Sequence, residues 1–101
     1  AYVEEGGTYL GICAGAYYAC SAIEYHKGRD DEICGARELG FTQAVARGSL
    51  PTIAPYYDLT LASAGVTKIR LADGEVIESF YHGGPGFFGP ISDAETIGRY
   101  E

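Results

Sequence analysis

Apolar and polar positions along this chain follow two different periods. The apolar run Tyr9-Leu10-Gly11-Ile12-Cys13 ends at Gly15, and from there Ala16, Ala19, Cys20 and Ile23 recur at helical spacing. The pattern predicts a strand that feeds directly into a helix. His26 and Lys27 stand where cations complement a helix carboxyl end, and Gly28 suits a left-handed cap, so the helix is expected to stop there. An exposed charged loop, Gly28 to Glu32, follows, then a weak strand candidate at Ile33-Cys34-Gly35 and a Gly- and Pro-punctuated stretch from Gly48 to Pro55. The later half turns to period two. Leu59-Thr60-Leu61 and Val66-Thr67-Lys68-Ile69-Arg70-Leu71 alternate as half-buried strands do, and Val76 to Tyr81 returns as a partner across Ala72-Asp73-Gly74. Asp-Gly accepts the positive φ of a tight hairpin turn. Ser92 and Glu95 have the spacing of a capping box and predict a helix start.

Composition narrows what such elements can do. The 101 residues fit one small domain or part of a larger one, and 47% hydrophobic with 21% charged residues is ordinary globular composition. A net charge of -7 leaves no basic patch for a phosphate backbone, so nucleic acid is not an expected partner. No apolar run approaches the roughly 20 residues of a membrane span, so no membrane association is expected. Cys13, Cys20 and Cys34 form no CxxC pair, which fits neither a paired disulfide framework nor a zinc site. Reduced thiols in a cytoplasmic protein, with no metal and no cofactor, are the expectation.

Candidate chemistry gathers at Gly11-Ile12-Cys13-Ala14-Gly15. The spacing G-x-C-x-G matches the thiol form of a nucleophile elbow, a sharp strand-to-helix turn that exposes one reactive side chain. Small residues two before and two after the cysteine, Gly11 and Gly15, let the two backbones approach. Cys13 is thus the candidate nucleophile, and the Ala14 N–H the candidate oxyanion donor. Cysteine is also among the most often buried residues, so a purely structural Cys13 is the competing reading. The two histidines are His26 and His82. His26, about 20 Å of helix from Cys13, is expected to be a capping or solvent residue. His82 ends a predicted strand and opens a Gly-rich loop, which makes it a cleft-lining candidate together with Tyr17, Glu38, Gly83 and Gly84. That loop lacks the lysine of a phosphate-binding loop, so nucleotide binding is not implied.

Three blocks carry a family resemblance. Gly6 to Tyr18 resembles the nucleophile segment of the glutamine-amidotransferase-like domain at the N-terminus of eukaryotic-type biotin-protein ligases and in stand-alone bacterial relatives. Ala36-Arg37-Glu38-Leu39-Gly40-Phe41 resembles that family's Pro-Arg-Glu-Leu segment, and Tyr81 to Phe88 its Tyr-Asn-Gly-Gly-Gly segment, in the same order. The resemblance implies an α/β fold: a flavodoxin-like, class I glutamine amidotransferase-like sandwich with a mainly parallel sheet. Residues 1–101 would be the central part of one such domain, with a triad histidine in a later segment.

Two functions follow as expectations. A biotin-protein ligase domain is the expected partner under either; the first is a cysteine-nucleophile hydrolase or amidotransferase acting on an amide, ester or other small-molecule substrate. Working glutaminases that resemble this chain carry Gln where Tyr17 stands, which argues against glutamine as the substrate. The second is a non-catalytic regulatory or ligand-binding domain that keeps the elbow as architecture.

Overall fold

The computed structural model describes residues 2–89 and 91–101. Its elements in chain order are α1 (Ala14–Tyr18), β1 (Cys20–Tyr25), β2 (Ile33–Ala36), β3 (Thr42–Gly48), a 3-10 turn (Leu61–Ser63), β4 (Gly65–Leu71), β5 (Val76–Tyr81), β6 (Gly86–Phe88) and β7 (Gly98–Tyr100). The strands make one four-stranded sheet, β2-β1-β3-β6, and one three-stranded sheet, β5-β4-β7. In the first, β1 and β3 run parallel while β2 and β6 flank them antiparallel. The second is antiparallel throughout.

This architecture overturns the expected flavodoxin-like sandwich. A mainly parallel sheet needs helical crossovers to cover its faces. The one α-helix among the described residues is five residues long, and a single strand pair is parallel.

The first half departs most from expectation. Among the described residues no strand precedes Cys13, and the predicted helix stops at Tyr18, after which Cys20–Tyr25 is extended. The ladder between β1 and β3 is irregular between Cys20 and Ala22, and the buried positions of β1, Cys20 and Ile23, fall three apart. That spacing imitates a helical repeat, and short apolar runs cannot be told apart by periodicity alone. The chain settles as a strand because β1 is then central, paired on both sides, and buries Cys20 and Ile23 with Tyr17, Ala44 and Ala46. β3, unforeseen in the sequence, alternates correctly: Ala44, Ala46 and Gly48 are buried while Gln43 and Arg47 face out.

His26 therefore directly follows a strand and is not a helix cap. Its ring is buried, 1% exposed, against the expectation of a solvent residue. The Ser92–Glu95 helix start is also absent. The Asp93 carboxylate instead accepts from the Gln43 N–H at 2.8 Å and the Thr42 hydroxyl at 2.9 Å, satisfying β3 beyond the reach of the short β6. Leu59-Thr60-Leu61 forms no strand either: Asp58 accepts from the Thr60 N–H at 2.7 Å and bends the chain into the 3-10 turn.

The second half follows its pattern. β4 and β5 pair from Gly65↔Tyr81 to Arg70↔Val76, and the Leu71 N–H closes the turn on the Glu75 carbonyl at 2.8 Å, with Gly74 at φ 92°. β2 covers the Ile33-Cys34-Gly35 candidate. Tyr81 leaves β5 buried, and the segment from His82 to Pro85 crosses from the second sheet to β6 in the first.

Candidate functional site

Cys13 sits at a sharp turn directly before α1, with φ 54° and ψ -112°. Such a backbone is sparsely populated for any residue with a Cβ and persists only where its surroundings fix it. The Gly15 N–H bonds to the Ile12 carbonyl at 3.0 Å, and the Ala16 and Tyr17 N–H groups bond to the Cys13 carbonyl at 3.0 and 3.1 Å. The Tyr9 hydroxyl, whose ring packs on Phe41, donates to the Gly15 carbonyl at 2.5 Å. A Cβ on Gly11 would lie 2.6 Å from the Gly15 carbonyl oxygen, so the chain before the turn passes against the start of α1 more closely than any side chain allows. At Gly15 the same test meets only the Tyr9 hydroxyl at 3.4 Å, ordinary contact.

Two side chains from this turn fasten the crossing segment. The Cys13 thiol points at the His82 carbonyl, 3.7 Å away, and the buried Tyr17 hydroxyl donates to the Gly83 carbonyl at 3.0 Å. Burial, first of all, holds the Tyr17 phenol well above the ordinary tyrosine range. Gly83 has φ 84°, and the Tyr57 ring lies where its side chain would be, so both backbone and space require glycine there.

A cavity of about 390 Å³ opens beside the sulfur. Gly11, Ile12, Cys13 and Ala16 form one wall; Phe80, Tyr81, His82, Gly84, Pro85, Phe87 and Tyr100 form the others. No carboxylate, lysine or arginine lines it. The tyrosine hydroxyls are already used, Tyr81 donating to the Gly84 carbonyl at 2.6 Å and Tyr100 to the Pro85 carbonyl at 2.9 Å.

His82 shares the cavity but does not turn its Nε2 toward the sulfur. Nε2 lies 3.0 Å from the Thr60 carbonyl, which can only accept, and 2.9 Å from the Ser63 hydroxyl. The ring is held between Tyr57 and Phe80, and only its backbone carbonyl meets Cys13.

The structure thus brings together Gly11, Cys13, His82 and Gly84 around one cavity. Ala14 and Gly15 belong to the turn behind it, Tyr17 lies in the core, Gly83 carries the Tyr17 contact, and Glu38 is an exposed residue away from the cavity. Sequence reasoning missed Ile12, Ala16, Phe80, Tyr81, Pro85, Phe87 and Tyr100 as wall residues. Tyr100 arrives through the pairing of β7 with β4, which no local pattern announces. No group of three or more His, Cys, Asp or Glu side chains that could hold a metal ion occurs among the described residues. No helix of the described residues is long and apolar enough to cross a membrane.

Fold and site together define a mixed-β protein with a sharply turned cysteine at the mouth of a largely apolar cavity. The family model for the N-terminal part of biotin-protein ligases matches residues 1–101, and the chain belongs to that family. It is 42% identical over 73 residues to a Chlamydia muridarum protein described as uncharacterized, covering 69% of this chain and 26% of that protein. It is 27% identical over 107 aligned positions to the biotin–protein ligase of Schizosaccharomyces pombe, covering 99% of this chain and 17% of the ligase. The chain therefore spans about a quarter or less of the length of these two relatives. No solved structure matches it significantly.

Proposed function

We propose that Cys13 is the nucleophile of an amide- or ester-cleaving or acyl-transferring site, in a protein that works beside a biotin-protein ligase domain. The observation that carries this reading is the conformation of Cys13: a positive φ at a residue with a side chain, with the exposed sulfur at a cavity of about 390 Å³. In the reaction the sulfur attacks a carbonyl carbon. The Ala14 N–H, a first-turn amide with no acceptor inside its helix, is the candidate donor to the developing oxyanion. The proton is carried by a histidine outside residues 1–101, because the His82 Nε2 is committed to Thr60 and Ser63. The relatives are several times longer than this chain, which leaves room for such a residue. With no charged side chain lining the cavity, a zwitterionic amino acid such as glutamine has no counter-charges there.

Alkylation of the full-length protein by iodoacetamide near neutral pH, mapped by peptide mass spectrometry, tests the proposal. Cys20 is fully buried and its thiol pKa is raised by that burial, while desolvation and then the Glu32 carboxylate raise that of Cys34. Cys13 is expected to react at least about tenfold faster than either. Equal rates at Cys13 and Cys34 would remove the nucleophile reading.

A second reading, a ligand-binding domain without catalysis, is favoured by the contact of the thiol with the His82 carbonyl. A selective but catalytically idle Cys13, unaltered in its acyl state by any amide or ester offered, would favour that reading.

A further inference from the structure

β1 and β3 are the parallel pair of this fold, and they end level with each other at Tyr25↔Gly48. The next residue on each strand, His26 and Ser49, therefore emerges side by side at adjacent carboxyl ends, where ligand-binding groups gather in parallel sheets. The His26 N–H bonds to the Gly48 carbonyl at 2.7 Å and extends the ladder by one step, with His26 itself at φ 49°. Its ring is stacked on Tyr25 with centroids 3.8 Å apart and meets the edge of Tyr56 at 5.3 Å, which leaves it one orientation.

In that orientation both ring nitrogens are engaged. Nδ1 lies 2.7 Å from the Asp31 carboxylate and Nε2 lies 2.6 Å from the Ser49 hydroxyl. A carboxylate only accepts, so Nδ1 carries a proton, and in the neutral ring Nε2 is left as acceptor for the Ser49 O–H. The Ser49 oxygen in turn accepts the Tyr57 N–H at 2.8 Å. The hydrogen bonds thus run in one direction, from serine through histidine to aspartate, in the order that activates a serine nucleophile. Ser49 and His26 also line a second cavity, of about 410 Å³, with Leu50, Tyr56 and Phe88 as apolar wall and Glu24, ion-paired with both Lys27 and Arg47, on its charged side. It shares no residue with the cavity at Cys13.

We propose that Ser49, His26 and Asp31 form a second nucleophilic site, separate from Cys13, that accepts acyl groups from small carboxylic esters. The Ser49 oxygen bonds to the ester carbonyl carbon as its proton passes to His26 Nε2. The carbon–oxygen bond to the leaving alcohol then breaks, and the alcohol takes that proton. Water repeats the sequence on the acyl-serine, releasing the acid and restoring Ser49. Asp31 is a positioning residue that holds the tautomer and orientation of His26. The proposal does not depend on the reading of Cys13.

Treatment of the full-length protein with a fluorophosphonate, followed by peptide mapping, tests it directly. The phosphonate is expected on Ser49, one per chain. Ser49→Ala removes a buried hydroxyl that also holds the Tyr57 amide and risks misfolding, so the informative variant is Asp31→Asn, whose side chain is 55% exposed. With the far-UV circular dichroism unchanged, Asp31→Asn is expected to slow phosphonate labelling by about 100-fold or more. It should also lower kcat for p-nitrophenyl acetate while KM stays within about twofold, as loss of a transition-state interaction does. Absence of phosphonate from Ser49 in the unmodified protein, or Asp31→Asn labelling at the unmodified rate, would overturn the proposal.

Discussion

Single hydroxyls and thiols hold the candidate site in shape. Tyr17 is the clearest case: its ring fills the core beside Cys20 and Ile23 while its hydroxyl reaches the Gly83 carbonyl. Tyr17→Phe keeps the ring and removes the donor, leaving a buried carbonyl unsatisfied. The expected loss is about 1 kcal/mol, read as a lower urea midpoint with an unchanged slope. Gln at this position in working glutaminases suggested a cleft-lining role for Tyr17, yet here it acts from the core. Side-chain direction at this position depends on where β3 and the crossing segment lie, and a local motif does not carry that information.

At the scale of elements, the turn around Cys13 is where the chain has least freedom. Gly11 passes so near Gly15 that Gly11→Ala must push the two backbones apart, whereas Gly15→Ala meets only a hydroxyl that can shift. Gly11→Ala is expected to cost about 1–3 kcal/mol and to reduce the alkylation rate of Cys13, while Gly15→Ala leaves both nearly as they were. Chemical denaturation together with the alkylation assay distinguishes the two. The spacing G-x-C-x-G was legible because it encodes this local approach, and the β4–β5 hairpin was legible because Asp73-Gly74 and the flanking alternation are local too. The β1–β3 pair was not. Its partners are about twenty residues apart, Cys20 with Thr42 and Tyr25 with Gly48, and the ladder irregularity lends β1 a helix-like spacing. The wall of the Cys13 cavity is half legible for the same reason: Tyr81 to Phe88 is one continuous block, but Tyr100 is brought in by a distant pairing.

Charge acts on the molecule as a whole. Glu24 is lowered in pKa by hydrogen bonds from Lys27 and Arg47, Asp31 by His26, and Asp58 by Thr60. Groups lowered on folding add stability that is present above their unfolded pKa, about 4, and is lost as pH falls through their folded values. The phenols of Tyr17, Tyr25, Tyr81 and Tyr100 are raised, chiefly by burial. Their contribution is complete below the ordinary phenol pKa, about 10, and is lost as pH rises beyond it. Urea midpoints measured across pH are therefore expected to form a plateau between about 5 and 9 and to fall on both sides. The alkaline fall should be the steeper, since Tyr17 and Tyr81 lie within the packed interior while the carboxylates stand in water.

The two ties on the segment from His82 to Pro85 differ in kind. The Tyr17 hydroxyl is permanent, but the contact from Cys13 to the His82 carbonyl needs the hydrogen on the sulfur. A sulfur carrying any acyl or alkyl group has no such hydrogen to give, so chemistry at Cys13 unfastens one end of the bridge between the two sheets. Amide hydrogen exchange from His82 to Gly84 would then speed up on modification while that of β1 and β3 stays slow. Occupancy of a single sulfur atom would be written into the mobility of the path that joins β5 to β6.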